Sequence, residues 1–159
     1  MVGLNLEYPS KFFIFMAFNM LLSLCATSLS NMMSCICVSI EMSTVVLACA
    51  MEITRLYSAF FVSPLQLDAY PANKWKFFDR ISYMKYGYIG LVNNEYIGLD
   101  LKCKTTELKS GKCPYTQGEQ IMKNFGYQRY SISYLAGCMV AYFVICRIAA
   151  YLALRFIKV

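Results

Sequence analysis

The stretch FFIFMAFNMLLSLCATSLSNMMSCICVSI, residues 12–40, runs for 29 positions without a charged side chain, between Lys11 and Glu41. Coiled into an α-helix at about 1.5 Å per residue, it outreaches the roughly 30 Å hydrocarbon layer of a bilayer. A cleaved secretory leader is the competing reading. Leaders carry apolar stretches of about 7 to 15 residues behind a basic segment, whereas here Glu7 precedes a much longer run. We therefore expect a retained membrane span over residues 12–38.

Two further stretches have the same character. Residues 42–63 are apolar except for Glu52 and Arg55 and stop before Pro64, and residues 132–154 are interrupted only by Arg147 and followed by Arg155 and Lys158. The pattern predicts three transmembrane helices. The whole composition agrees, with 58% hydrophobic and 15% charged residues against about 25% charged in an ordinary soluble domain. That deficit of charge excludes a disordered or nucleic-acid-binding chain, and the crowding of the net +6 between and beside the apolar stretches points to a membrane.

An odd number of spans puts the two ends on opposite sides. The basic end Arg155-Phe156-Ile157-Lys158 favours a cytoplasmic C-terminus, leaving residues 64–131 outside. That loop holds ten Lys or Arg, but the positive-inside rule weakens for loops longer than about 60 residues. The expected setting is the plasma membrane, with Trp75, Arg147, Arg155 and Lys158 as interface anchors. Trp75, Phe78, Ile81, Met84, Tyr88 and Leu91 recur at steps of three or four, which reads as one or two amphipathic helices lying at the membrane surface.

Of the eight cysteines, Cys25, Cys35, Cys37, Cys49, Cys138 and Cys146 fall in or beside the apolar stretches, where a thiol packs as a small hydrophobe. Cys35 and Cys37 have no histidine anywhere in the chain to complete a metal site. Cys103 and Cys113 are alone in the polar loop, nine hydrophilic residues apart, and read as one extracellular disulfide; free cytosolic thiols are the alternative if the orientation is reversed.

Polar residues also fall on helical faces. Asn19, Ser23, Thr27, Asn31 and Ser34 share one face of the first span, and the expectation is packing against another helix rather than a polar pathway. On the second, Thr44, Ala48, Glu52, Arg55 and Ala59 form a stripe on which Glu52 and Arg55 can pair. Charges in a span are functional candidates by default, a substrate contact standing beside a neutralising ion pair. Nothing suggests catalysis: there is no phosphate-binding GxxxxGK[ST] loop, no His and no GxSxG.

Other segments resemble a known family. Met1-Val2-Gly3-Leu4, Ala59-Phe60-Phe61-Val62-Ser63, Ser82-Tyr83-Met84-Lys85-Tyr86-Gly87-Tyr88-Ile89-Gly90-Leu91 with Asn94-Glu95-Tyr96, Cys103 and Cys113-Pro114 with Gly118, and Arg147 with Ala150-Tyr151-Leu152-Ala153-Leu154-Arg155 follow in the order and spacing of the G subfamily of ABC transporters. These are half-transporters of the White, Brown and Scarlet type. Met1–Leu4 is similar to the outer turn before the fourth transmembrane helix, residues 59–63 to the end of the fifth, and residues 82–96 to the membrane-embedded loop helix.

The resemblance implies that residues 1–159 are the C-terminal part of an ABC-2 type transmembrane domain: an all-α membrane protein of three spans with a re-entrant, disulfide-closed outer loop. It implies a homodimer or heterodimer with another half-transporter, and ATP-driven export of lipid-like or amphipathic small molecules. In that architecture two copies of the second span line a cavity at Glu52 and Arg55, under a hydrophobic plug of Phe60 and Phe61. The two charges depart from the family's usual apolar residues. ATP and magnesium would act in a domain that this chain lacks, so the chain itself is expected to be no enzyme and to bind no cofactor. The alternative is a naturally short, ATPase-free membrane protein that pairs with full-length half-transporters and modulates them.

Overall fold

A computed structural model describes residues 9–61, 63–64, 76–99 and 117–156, and among them every regular element is helical. The chain forms α1 (Pro9–Ile36), α2 (Ile40–Leu56), α3 (Lys76–Ile81), α4 (Tyr83–Tyr96), α5 (Gly118–Phe125), a 3-10 turn (Tyr127–Arg129) and α6 (Ile132–Phe156). α1 and α6 have 28 and 25 residues, about 42 and 38 Å. They are the two described helices long and apolar enough to cross a membrane, and only 22% of the most apolar part of each is buried inside the chain. The core helix of a soluble protein would be mostly covered; these two are clothed largely in outward-facing apolar side chains.

The second apolar stretch ends sooner than its composition suggests. α2 stops at Leu56, its last turn closed by the Tyr57 N–H donating to the Ile53 carbonyl and the Ser58 N–H donating to the Arg55 carbonyl. Ala59 then adopts a left-handed backbone, φ +67°, which no helix can continue through. The described helix is therefore 17 residues and falls short of the expected span over 42–63, because Ala59-Phe60-Phe61 is apolar enough to extend a hydropathy reading while its backbone turns. At the other end Ser39 caps the helix by accepting from the Met42 N–H. Glu41 in the first turn and Arg55 in the last both suit the helix dipole.

The core lies where α4 wedges between α1 and α6. Phe18, Cys25 and Leu29 of α1 meet Tyr83 and Ile89 of α4 and Leu135 and Met139 of α6. The Cys25 thiol donates to the Met139 carbonyl at 3.3 Å. Close approach of α4 needs glycine: a Cβ on Gly90 would sit 2.2 Å from the Phe18 ring, and one on Gly87 would sit 2.4 Å from a Leu22 methyl. The junction is fixed at its end by Asn94 Nδ2 donating to the Lys11 carbonyl at 2.9 Å and Lys11 Nζ to the Ile97 carbonyl at 2.8 Å.

The aromatic loop segment does fold as helix, and that helix packs against the bundle. The predicted segment is two helices broken at Ser82, and α4 is inserted into the bundle, with Tyr83, Lys85, Gly87, Ile89, Gly90, Asn93 and Asn94 all buried. Tyr88 and Leu91 of the apolar stripe are only partly covered, because the helix buries the face on which Gly87 and Gly90 permit close approach, together with Tyr83 and Ile89. Lys85 is 4% exposed. Asp79 of α3 holds its ammonium, and the Tyr130 ring lies 5.5 Å below it, so the buried charge is met on two sides.

Candidate functional face of α2

The residues assigned to a substrate cavity all lie on the outside of the chain. Arg55 Nη1 donates to Glu52 Oε1 at 3.3 Å, one helical turn apart, and both side chains are 63% exposed. The pair forms as expected from its spacing. It sits on an exposed strip with Thr44, Ala48, Val45 and Cys49, so Cys49 is not the packing residue that its apolar surroundings suggested. Ala59 leaves the stripe altogether: it lies beyond the helix and is fully buried.

Past the end of α2, Phe60 and Phe61 project outward with their rings edge to face, centroids 5.0 Å apart. Phe60 leans on Tyr88 at 5.8 Å, and Tyr88 on Tyr127 at 6.1 Å. What holds this exposed aromatic pair is the buried turn beneath it. The Tyr127 hydroxyl donates to the Ala59 carbonyl at 2.7 Å, satisfying the backbone where it departs from helical geometry. Tyr127 is itself delivered by Gly126, whose φ of +77° ends α5 in the left-handed conformation that glycine adopts without strain. Burial, reinforced by neighbouring Tyr88, pushes the Tyr127 phenol up to about 12. Sequence reading missed Tyr127; a lone tyrosine in a loop carries no signal for a partner 68 residues away.

α2 is tied to the bundle through polar contacts at the same end. Ser82 Oγ donates to the Thr54 carbonyl at 2.8 Å, Tyr83 Oη to Met51 Sδ at 3.3 Å, and Tyr57 stacks on Phe78 at 6.0 Å. These contacts orient the helix so that Glu52, Arg55, Phe60 and Phe61 share the outside.

The polar stripe of α1 does not pack within the chain either. Asn19, Ser23, Thr27, Asn31 and Ser34 are all exposed. Asn19, Thr27 and Ser34 donate back to carbonyls one turn earlier, Phe15, Ser23 and Ser30, at 2.8, 3.1 and 3.0 Å. The packed face is instead Phe18, Cys25, Ser28 and Leu29.

Of the expected anchors, Arg147 and Arg155 are exposed on α6, their guanidinium carbons 5.3 and 5.9 Å from the Phe143 and Phe156 rings. Arg147 thus points back one turn toward Phe143 rather than toward the basic end, following the N-terminal lean of helical side chains. Trp75, Lys158 and the Cys103–Cys113 disulfide lie outside the described residues. Cys25 and Cys146 are buried, as packing thiols should be, while Cys35, Cys37 and Cys138 are half-buried.

No curated protein matches the chain. The model of the ABC-2 type transporter membrane family matches residues 1–96, which takes in α1, α2 and the wedge helix α4 together with the exposed charged face. With more than half of its length so matched, this integral membrane chain belongs to the ABC-2 type transporter family.

Proposed function

We propose that the chain is the C-terminal part, residues 1–159, of the transmembrane domain of a G-subfamily half-transporter that exports lipid-like or amphipathic small molecules at the cost of ATP. The observation that carries this reading is the outward face of α2, where an ion pair and two phenylalanines stand exposed on an apolar helix. Charges on a membrane helix belong against protein or water, not lipid. A second half-transporter facing this one across Glu52 and Arg55 supplies both, with Phe60 and Phe61 closing the cavity above.

The exposed polar stripe of α1 supports the same reading, since small and hydroxylated residues in lipid serve as contact surfaces for further helices. In this reading α2 crosses as the middle of three spans, the C-terminus is cytoplasmic, residues 64–131 face outward and Cys103 bridges Cys113. ATP and magnesium act on a separate domain, and this chain neither binds nor hydrolyses ATP.

Cross-linking tests the pairing. Ala48→Cys in a Cys49→Ser background places a single thiol at the centre of the exposed strip, and oxidation in native membranes should give a band of twice the 18.2 kDa chain, or of twice the endogenous polypeptide, absent in Cys49→Ser alone. No cross-link at position 48, with efficient cross-linking from a cysteine at Ile145 on α6, would transfer the interface elsewhere. The size of the endogenous polypeptide decides between the two forms of the reading: a band much larger than 18.2 kDa means a piece of a transporter, and one near it means a short modulator of full-length partners.

A further inference from the structure

A second feature lies away from the α2 face. Where α3, α4 and the start of α6 meet, a cavity of about 540 Å³ is bordered by Lys76, Arg80, Lys85 and Arg129, with Asp79 the single carboxylate among the described lining residues. Asp79 is already taken by Lys85. Lys76 and Arg129 have contacts of their own. Arg80, exposed and lining the same space, has Tyr134 as its electrostatic neighbour on that lining and is the exposed guanidinium of α3.

We infer that this cavity binds the phosphate group of an anionic phospholipid, with Arg80 as its principal contact. The charge count selects an anion, and the guanidinium suits phosphate oxygens in a two-pronged geometry. A choline headgroup would bring a further cation among Lys76, Arg80, Lys85 and Arg129, with the single described carboxylate already held by Lys85.

A lipid rather than a soluble anion follows from what lies below the opening. Tyr134 borders the cavity at the first turn of α6, where tyrosine marks the level of the headgroups. From it, Cys138, Ala141, Ile145, Ile148 and Leu152 continue down one face at steps of four and three, and all but half-buried Cys138 are exposed. The stripe runs about 27 Å, an apolar track for an acyl chain whose headgroup sits in the cationic cavity. This inference rests on the membrane placement of α6 and not on transport.

The test is lipid retention by the full chain purified in mild detergent and read by native mass spectrometry. Wild type should hold phosphatidylglycerol roughly tenfold more tightly than phosphatidylcholine: both bring a phosphodiester to Arg80, but only phosphatidylcholine also brings a fixed cation against the cationic rim, offsetting about one charge-assisted contact. Arg80→Gln should bring the ratio close to one, while Arg80→Lys retains most of it and shows that the fold survives substitution at this position. Lys123→Gln, which removes an exposed charge of α5 away from the cavity, should leave the preference intact. Equal retention of the two lipids by wild type, or an unchanged ratio in Arg80→Gln, overturns the proposal. Displacement of phosphatidylglycerol by millimolar inorganic phosphate also overturns it, by showing a site for a free anion.

Discussion

Replacing Gly90 with alanine probes the contact on which the bundle depends. The new methyl carbon would stand 2.2 Å from Phe18 Cε1 and 2.7 Å from both Cδ1 and Cζ, and Phe18 is buried in the core. Overpacking of this kind costs about 1–3 kcal/mol. Against it stands the gain of about 1 kcal/mol from placing alanine rather than glycine in a helix interior, leaving a net loss of about 1 kcal/mol. Gly137 on α6 is the internal control: a Cβ there meets nothing within 4 Å, so Gly137→Ala keeps the helix gain without the collision. The two variants should differ by about 2 kcal/mol, or roughly 4–8 °C in melting temperature at the 2–4 °C per kcal/mol of a chain this size. Thermal unfolding in detergent followed by circular dichroism measures the difference. Phe18→Leu should recover part of the loss in the Gly90→Ala background while destabilising the parent. A Gly90→Ala chain melting at or above Gly137→Ala, or strict additivity of the Gly90 and Phe18 changes, would show that α4 does not lie against α1 in this way.

Tyr127→Phe removes the donor to the buried Ala59 carbonyl. It should cost about 1–3 kcal/mol in thermal stability and increase the reactivity of a cysteine placed at Phe60 or Phe61. Alkali should unfold the chain between pH 10 and 12: Tyr127 and Tyr86 are both raised to about 12 by burial, so their contribution is full below pH 10 and falls as pH climbs through 12. The slope of stability against pH in that window should shrink in Tyr127→Phe. The Glu52–Arg55 pair is exposed on both sides, so a double-mutant cycle with Glu52→Gln and Arg55→Gln in detergent should return a coupling of about 0.3–1 kcal/mol; a value near 3 kcal/mol would mean that the face is dry and covered.

The long elements were legible because their signal is composition over many residues. The uncharged run 12–40 covers nearly all of α1 and runs past its end at Ile36, and the apolar run before Arg155 marks α6. The end of α2 was not, since Phe60 and Phe61 are apolar whether they lie in a helix or in a turn, and the left-handed backbone falls on an alanine rather than on the glycine that would announce it. The loop helix was legible, but the face it buries was not. Its stripe of Met84, Tyr88 and Leu91 fits a membrane surface, while the clue to its true seat was Gly87 and Gly90, three apart and each pressed by a side chain of α1. The Glu52–Arg55 pair followed from helical spacing alone, whereas the exposure of both polar stripes depended on which faces the other helices took.

The shortness of α2 bears on the surrounding lipid. At 17 residues the helix measures about 25 Å against a hydrocarbon thickness of roughly 30 Å, while α1 and α6 exceed that thickness comfortably. If α2 crosses as proposed, the bilayer beside it must thin by about 5 Å, or the turn at Tyr57–Phe61 must hang below the surface with its carbonyls reached by water. Either outcome makes this side of the molecule a hydrophobic mismatch, one that favours short or unsaturated acyl chains and disfavours the thicker, sterol-rich regions of a membrane. Where the protein resides in a cell would then be set partly by one alanine that ends a helix two turns early.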